Sequence, residues 1–310
     1  MITQYITTSE GLTEIDEFRP GCWVKVVNPT EKEIAALVSR FGMPIDFLTD
    51  PLDVDERARF EAEDGCTLIL IRSARREPEE AAIPYITLPI GIILAGDLII
   101  TVTLTEVDVM EEFLSGWVRN HDTRQQTRFV LQLCYRTALR FLRYLKEINR
   151  MTGIIERNLH RSTTNDQLLG LFNLQKSLVY FTTSLRSNSL MVEKFQYQSV
   201  LDMTDDEHDL YEEMVIENRQ ALEMANIYTS IITGMIGTFA SIINNNVSVV
   251  MKLLTAVTIL ISLPTMVASI YGMNIPLPLQ DSSHAFPAVM GSALGLSAIG
   301  LFILIRWKVL

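Results

Sequence analysis

The chain has little cysteine, little histidine and no catalytic signature. Its three cysteines, Cys22, Cys66 and Cys134, lie far apart and form no CxxC pair. That argues against a disulfide framework and for reduced, buried thiols in a cytosolic domain. The four histidines, His121, His160, His208 and His284, are too scattered for a metal-ligand set. His208, inside an acidic run, is placed to meet a softer metal, and His284 to confer zinc or proton sensitivity. No P-loop, G-x-S-x-G or H-E-x-x-H occurs, so nothing points to an enzyme. The opening "MITQYITTSEGLTEIDEF" lacks a basic stretch followed by an apolar one, and no signal peptide is expected. No internal repeat or low-complexity segment stands out.

Positive charge is scarce in the first part of the chain. The formal net charge is −11, and residues 1–120 carry 22 acidic against 10 basic side chains. Such a surface argues against nucleic acid, whose phosphates demand Lys and Arg. It suits cations or a basic partner, or is simply a solvated acidic face.

Charge is missing altogether from two C-terminal runs. Leu253 to Met273 is uncharged over 21 residues, and Phe286 to Ile305 over 20. As helices the first would span roughly 32 Å, enough to cross a bilayer. Lys252 precedes the first run, and Arg306 and Lys308 follow the second. The segment between them, Ile275 to Ala285, holds one acid, Asp281, and no Lys or Arg. The positive-inside rule then places both outer flanks, and with them the termini, in the cytoplasm. Trp307 fits an interfacial anchor, and Trp23 reads as core.

The soluble part divides in two. "CWVKVV", "CTLILIR", "ITLPIGIILA" (interrupted by Pro89) and "DLIITVTLT" read as strands of a central sheet. "NPTEKEIAALVSRFG" reads as a capped helix ending at Gly42. From about Asp122 the pattern turns helical: one long helix, then a helix or helix pair from "STTNDQ" onward. Thr204 with Glu207 forms a capping-box signature, and Asp205 and Asp206 favour a helix N-terminus. No proline follows until Pro264, so one helix is expected to run from the cytosolic part into the first apolar span. The expected division is an α/β domain over 1–120, a helical bundle with a stalk helix over 121–250 and a two-helix membrane domain over 251–310.

Along that helix small and hydroxylated residues recur every three or four positions: Gly234, Thr238, Ser241, Asn245 and Ser248. After Met251 come Thr255, Thr258, Ser262, Thr265 and Ser269. A polar stripe in an apolar span either packs helices together or lines water. Two spans cannot enclose a pore, so a pore requires an oligomer. In the second span Gly291-Ser-Ala-Leu-Gly295 is a GxxxG that permits close helix contact.

The first span ends on Tyr271-Gly272-Met273-Asn274, followed by a short loop, one more span and a brief basic tail. This resembles the CorA-type magnesium channel family. The likeness continues through "VMKLLT", "NPTEKEI", "FGMPIDFLTDPLDVDERARFE" and "DLIITVT", and so covers the chain. It implies a homopentamer in the cell (inner) membrane that passes Mg2+ passively. It also implies an N-terminal α/β domain, a helical bundle and a stalk helix continuing into a pore-lining span. Carried over, Gly272, Met273 and Asn274 form the selectivity filter, and Thr265 and Thr255 line the pore below. Met251 and Leu254 form a hydrophobic gate, and Lys252, Arg306 and Lys308 a basic belt. The stripe adds Ser248, Thr258, Ser262 and Ser269 to the expected lining.

Three departures stand out. The filter is followed by Ile275-Pro-Leu-Pro-Leu279, without the acid expected there. Ser248 stands where an asparagine is usual. The family's regulatory metal site pairs two acids between subunits: Glu213 falls at one position, but only Glu77, Glu79 and Glu80 lie near the other. Asp202, Asp205, Asp206, Glu207, Asp209, Glu212, Glu213 and Glu217 read either as a solvated helix start or as a Mg2+-sensing surface. Asp209, Glu213 and Glu217 are the regulatory candidates. The alternatives are a Zn2+, Co2+ or Ni2+ transporter of the same family, with or without proton coupling, and a non-conducting membrane-anchored scaffold or sensor. Expected partners are further copies of the chain, membrane lipid and divalent cations, not nucleic acid.

Overall fold

The structure is a computed structural model that describes residues 1–9, 11–118, 121–159, 165–197, 203–275 and 284–306. Two compact units are present, Met1–Ile236 and Gly237–Leu310.

The first unit is built on seven strands: β1 (Ile2–Thr8), β2 (Gly11–Ile15), β3 (Trp23–Val27), β4 (Arg59–Glu63), β5 (Cys66–Arg76), β6 (Tyr85–Ala95) and β7 (Leu98–Thr103). They form one sheet in the order β2-β1-β3-β7-β6-β5-β4. The β3–β7 pair is parallel and the others are antiparallel. Alternate residues of β5 enter opposite cores: Ile69 and Ile71 one, Leu68 and Leu70 the other. Burial on both faces explains why these strands read as unbroken apolar runs.

One face is covered by α1 (Glu31–Phe41) and α2 (Asp46–Thr49), through Ile34, Leu37, Phe47 and Leu48. The start of α1 is closed by a full capping box, Thr30 with Glu33, and Gly42 ends it in the left-handed region at φ 67°. Accepting from the Thr30 N–H and hydroxyl holds the Glu33 carboxyl below its usual range.

The other face carries α3 (Asp108–Leu114), α4 (Gln126–Leu159), α5 (Asn165–Tyr197) and the first turns of α6 (Asp205–Tyr271). Trp23 sits in this core, fully buried, and its indole N–H donates to Thr101 Oγ1 at 2.8 Å. All three cysteines are buried and free, and burial pushes the Cys134 thiol up to about 12. Arg72 ties the sheet to α5. Its Nε donates to Ser184 Oγ at 3.0 Å and its Nη2 to the Thr87 carbonyl at 2.9 Å, while burial lowers its pKa.

The segment from "STTNDQ" supplies one helix, α5, rather than two. The N-terminus of α6 repeats the carboxylate half of the α1 box. The Glu207 carboxylate accepts from both the Thr204 N–H and its hydroxyl, each at 2.9 Å. From there α6 continues for 67 residues as one helix with Pro264 inside it. The second unit is the C-terminal part of α6 together with α7 (Ala285–Arg306). Among the described residues these are the two helices long and apolar enough to cross a membrane.

Candidate functional site

α6 ends at Tyr271 because the backbone tightens. The Gly272 N–H donates to the Ala268 carbonyl at 2.9 Å and the Met273 N–H to the Ile270 carbonyl at 3.2 Å. Gly272 does not have a positive φ. A Cβ there would lie in ordinary contact, 3.4 Å from the Ala268 oxygen and 3.6 Å from the Ser269 oxygen, so its absence opens these carbonyls only a little further. The last carbonyls of a helix carry its partial negative charge. Met273 and Asn274 follow in exposed backbone outside the helix.

Below this end the hydroxyls are held by their own helix. Thr255 donates to the Met251 carbonyl, Thr258 to Leu254 and Thr265 to Ile261, each at 2.8 Å, and Ser262 to Ile259 at 2.9 Å. A hydroxyl whose proton is spent this way shows outward only its acceptor lone pairs. Waters around a cation point their protons outward, so a column of acceptors suits a hydrated cation.

At about 100° per residue, Ser248, Met251, Thr255, Thr258, Ser262, Thr265 and Ser269 fall within an arc of about 100°. All seven are exposed. Fully buried Ala256 and half-buried Leu263 lie roughly 130° and roughly 110° from the centre of that arc. Leu263 is where α7 comes close: a Cβ on Gly300 would stand 2.9 Å from Leu263 Cδ1. Packing within the chain therefore uses a face other than the hydroxyl face. It also bypasses the GxxxG, since a Cβ on Gly291 or Gly295 meets nothing within 4 Å. Within the chain the close approach is made by Gly300.

Met251 and Leu254 are exposed at 55% and 58%, with exposed Lys252 between them. Arg306 ends α7, also exposed. Lys308, Trp307, His160, Asp202, Asp281 and the segment 276–283 lie outside the described residues.

The acidic start of α6 is separate. Asp205, Asp206, Asp209, Glu212 and Glu213 are exposed, Glu217 is half-buried and Glu207 is spent on the cap. His208 Nε2 lies 3.6 Å from Glu212 Oε1. The negative charge of Glu213 and Glu217 adds to burial in raising the pKa of Tyr135 on α4. Among the described residues no three His, Cys, Asp or Glu side chains gather as a metal site. After β5, Glu77 sits 3.4 Å from Arg75 and Glu79 sits 3.9 Å from Arg76. Two of the three acids near the expected partner position thus each have an arginine within ion-pair distance in the same chain. His121 is taken up structurally, with Nδ1 2.6 Å from the Val118 carbonyl and its ring against Phe113.

Comparison with known proteins agrees with this layout. A family model described as "CorA-like Mg2+ transporter protein" matches residues 20–306. The cobalt/magnesium transport protein CorA of Methanocaldococcus jannaschii is 27% identical over 300 residues, covering 92% of this chain and 90% of that protein. The complete structure of the CorA magnesium transporter from the same organism superposes with a TM-score of 0.84 at 21% identity, covering 99% of this chain and 98% of that one. The cytoplasmic domain of ZntB from Vibrio parahaemolyticus shares the fold at a TM-score of 0.60 and 14% identity, over 79% of this chain and 96% of that one. With its α/β domain, its single long helix and its second apolar helix, the chain belongs to the CorA-like Mg2+ transporter family, whose members carry divalent cations across membranes.

Proposed function

We propose that the chain is one subunit of a homopentameric channel that admits hydrated Mg2+ down its electrochemical gradient. The observation that carries this reading is the separation of faces on α6. The hydroxyl face leads up to Gly272–Asn274, while the chain's own second span seats at Leu263, on a different face. Copies arranged about an axis can turn the hydroxyl face inward without giving up that seat.

Mg2+ parts with its waters reluctantly and prefers oxygen. The proposed path offers oxygen without carboxylate: Thr and Ser hydroxyls, the carbonyls beside Gly272 and the Asn274 amide. Such a set holds an ion through its water shell and still releases it. Zn2+ would favour imidazole or thiolate, and the path has neither. At the other end Met251 and Leu254 would close the pore by dewetting. Lys252 and Arg306 fit a cytoplasmic flank in the inner membrane by the positive-inside rule. The proposed division is a cytosolic α/β domain (1–120), a cytosolic helical bundle with the stalk helix (121–250) and a two-helix pore domain (251–310). Asp209, Glu213 and Glu217 would supply half of a regulatory Mg2+ site. The other half would come from a second subunit, because among the described residues of one chain no three such ligands come together.

Cysteine substitution tests the face assignment, since the native thiols are all buried. Thr255→Cys and Thr265→Cys should react with a charged, membrane-impermeant thiol reagent and lose Mg2+ flux in liposomes. Ala256→Cys should stay unlabelled. Equal labelling at all three positions would overturn the assignment.

A further inference from the structure

Two kinds of feature weaken α6 at one level. Pro264 has no N–H to give the Leu260 carbonyl. Around it two hydroxyls bond back into the helix: Ser262 to the carbonyl three residues earlier and Thr265 to the carbonyl four earlier. Back-bonding of this kind bends helices, and it acts here where the ladder is already interrupted. The second span makes its closest glycine approach at the same level. The space a Gly300 Cβ would fill is within 2.9 Å of the end of Leu263, the residue before the proline. Ala293 and Leu304, both buried, share the Gly300 face of α7, whereas Gly291 and Gly295 lie roughly 160° away and touch nothing.

We infer that Gly300 is a positioning residue for the ion path. It seats Leu263 and so sets the angle at Pro264 between two parts of α6: Met251–Ser262, which carries the proposed gate, and Thr265–Tyr271, which ends at the proposed filter. This rests on the conduction reading above. The seat lies away from the hydroxyl face, so pushing it outward moves Thr265 and everything beyond it toward the axis. A larger residue at 300 has to displace the end of the Leu263 side chain, which lies in the space its Cβ needs. The interrupted ladder makes this level the easiest to deflect, so a small steric change here is read out at both ends of the path.

The test is a rescue series in proteoliposomes of the full chain, reading Mg2+ flux and the amount of assembled protein. Gly300→Val cannot be accommodated by turning Leu263 aside, and is expected to lower flux about tenfold at equal assembly. Leu263→Ala removes the colliding methyl, and the double variant is expected to return to within about threefold of the parent. Gly300→Ala meets only the flexible end of Leu263. A loss of about threefold, relieved by Leu263→Ala, is expected, and this pair decides the matter if the valine variant fails to assemble. Unchanged flux in both Gly300 variants, or a loss that Leu263→Ala does not relieve, would overturn the inference. A parent that carries no cation would sink the conduction reading itself, whereas a conducting parent indifferent to Gly300 sinks only this assignment.

Discussion

Asn274→Ala is expected to cut Mg2+ flux in liposomes about a hundredfold. In the proposed pentamer each subunit would lose one amide oxygen that accepts from the ion's water shell. A hydrogen bond of this kind contributes about 1 kcal/mol, and repetition around a pentameric ring multiplies the loss. Each 1.4 kcal/mol corresponds to a factor of ten, so the loss of a few such contacts reaches two orders of magnitude. Asn274→Asp distinguishes a filter from mere packing. It keeps the shape and adds charge, so Mg2+ should bind more tightly and leave more slowly, with half-saturation falling together with maximal flux. The position of Asn274, just past the Gly272 and Met273 turn bonds and outside the helix, leaves its amide unburied for this role. Flux and half-saturation unchanged in both variants would remove Asn274 from the filter.

The second large effect belongs to the fold. Gly91 lies mid-strand in β6, paired with Leu70 and Val102, and is buried. A Cβ there would stand 2.3 Å from Pro51 Cγ and 2.9 Å from Pro51 Cβ. Unlike the leucine that faces Gly300, a buried proline ring cannot rotate away. Gly91→Ala must push the 3-10 turn at Asp50–Leu52, and α2 beside it, off the sheet. Overpacking of this kind costs about 3 kcal/mol. The cost should appear as a lower Tm of the full chain in detergent, partly recovered by Pro51→Ala, which removes Cγ. An unchanged Tm in Gly91→Ala would contradict the contact.

The sequence made some of this legible, for local reasons. α1 announces itself because Thr30, Glu33 and Gly42 each act on backbone within a few residues. β5, β6 and β7 are readable because burial on both faces makes them continuously apolar. β1, β2 and β4 pass unnoticed because they are half-exposed strands mixing polar and charged residues, "ITQYITT", "GLTEI" and "RFEAE". The parallel β3–β7 pairing joins residues more than seventy positions apart and leaves no local mark. In the second unit the hydroxyl stripe is plain from its spacing, but spacing does not say what the stripe faces. Among Gly291, Gly295 and Gly300, pattern favours the first two, and only the rotation of α7 against α6 selects the third. The acids after β5 looked available until Arg75 and Arg76 were placed beside them.

The central claim, passive conduction of hydrated Mg2+, is tested most directly by cation uptake into proteoliposomes of the parent chain. Mg2+, Zn2+, Co2+ and Ni2+ would each be measured with and without a pH gradient. Mg2+ entry that follows its own gradient and ignores the pH gradient is the predicted result. Entry of Zn2+ alone, or uptake that requires the proton gradient, would contradict it.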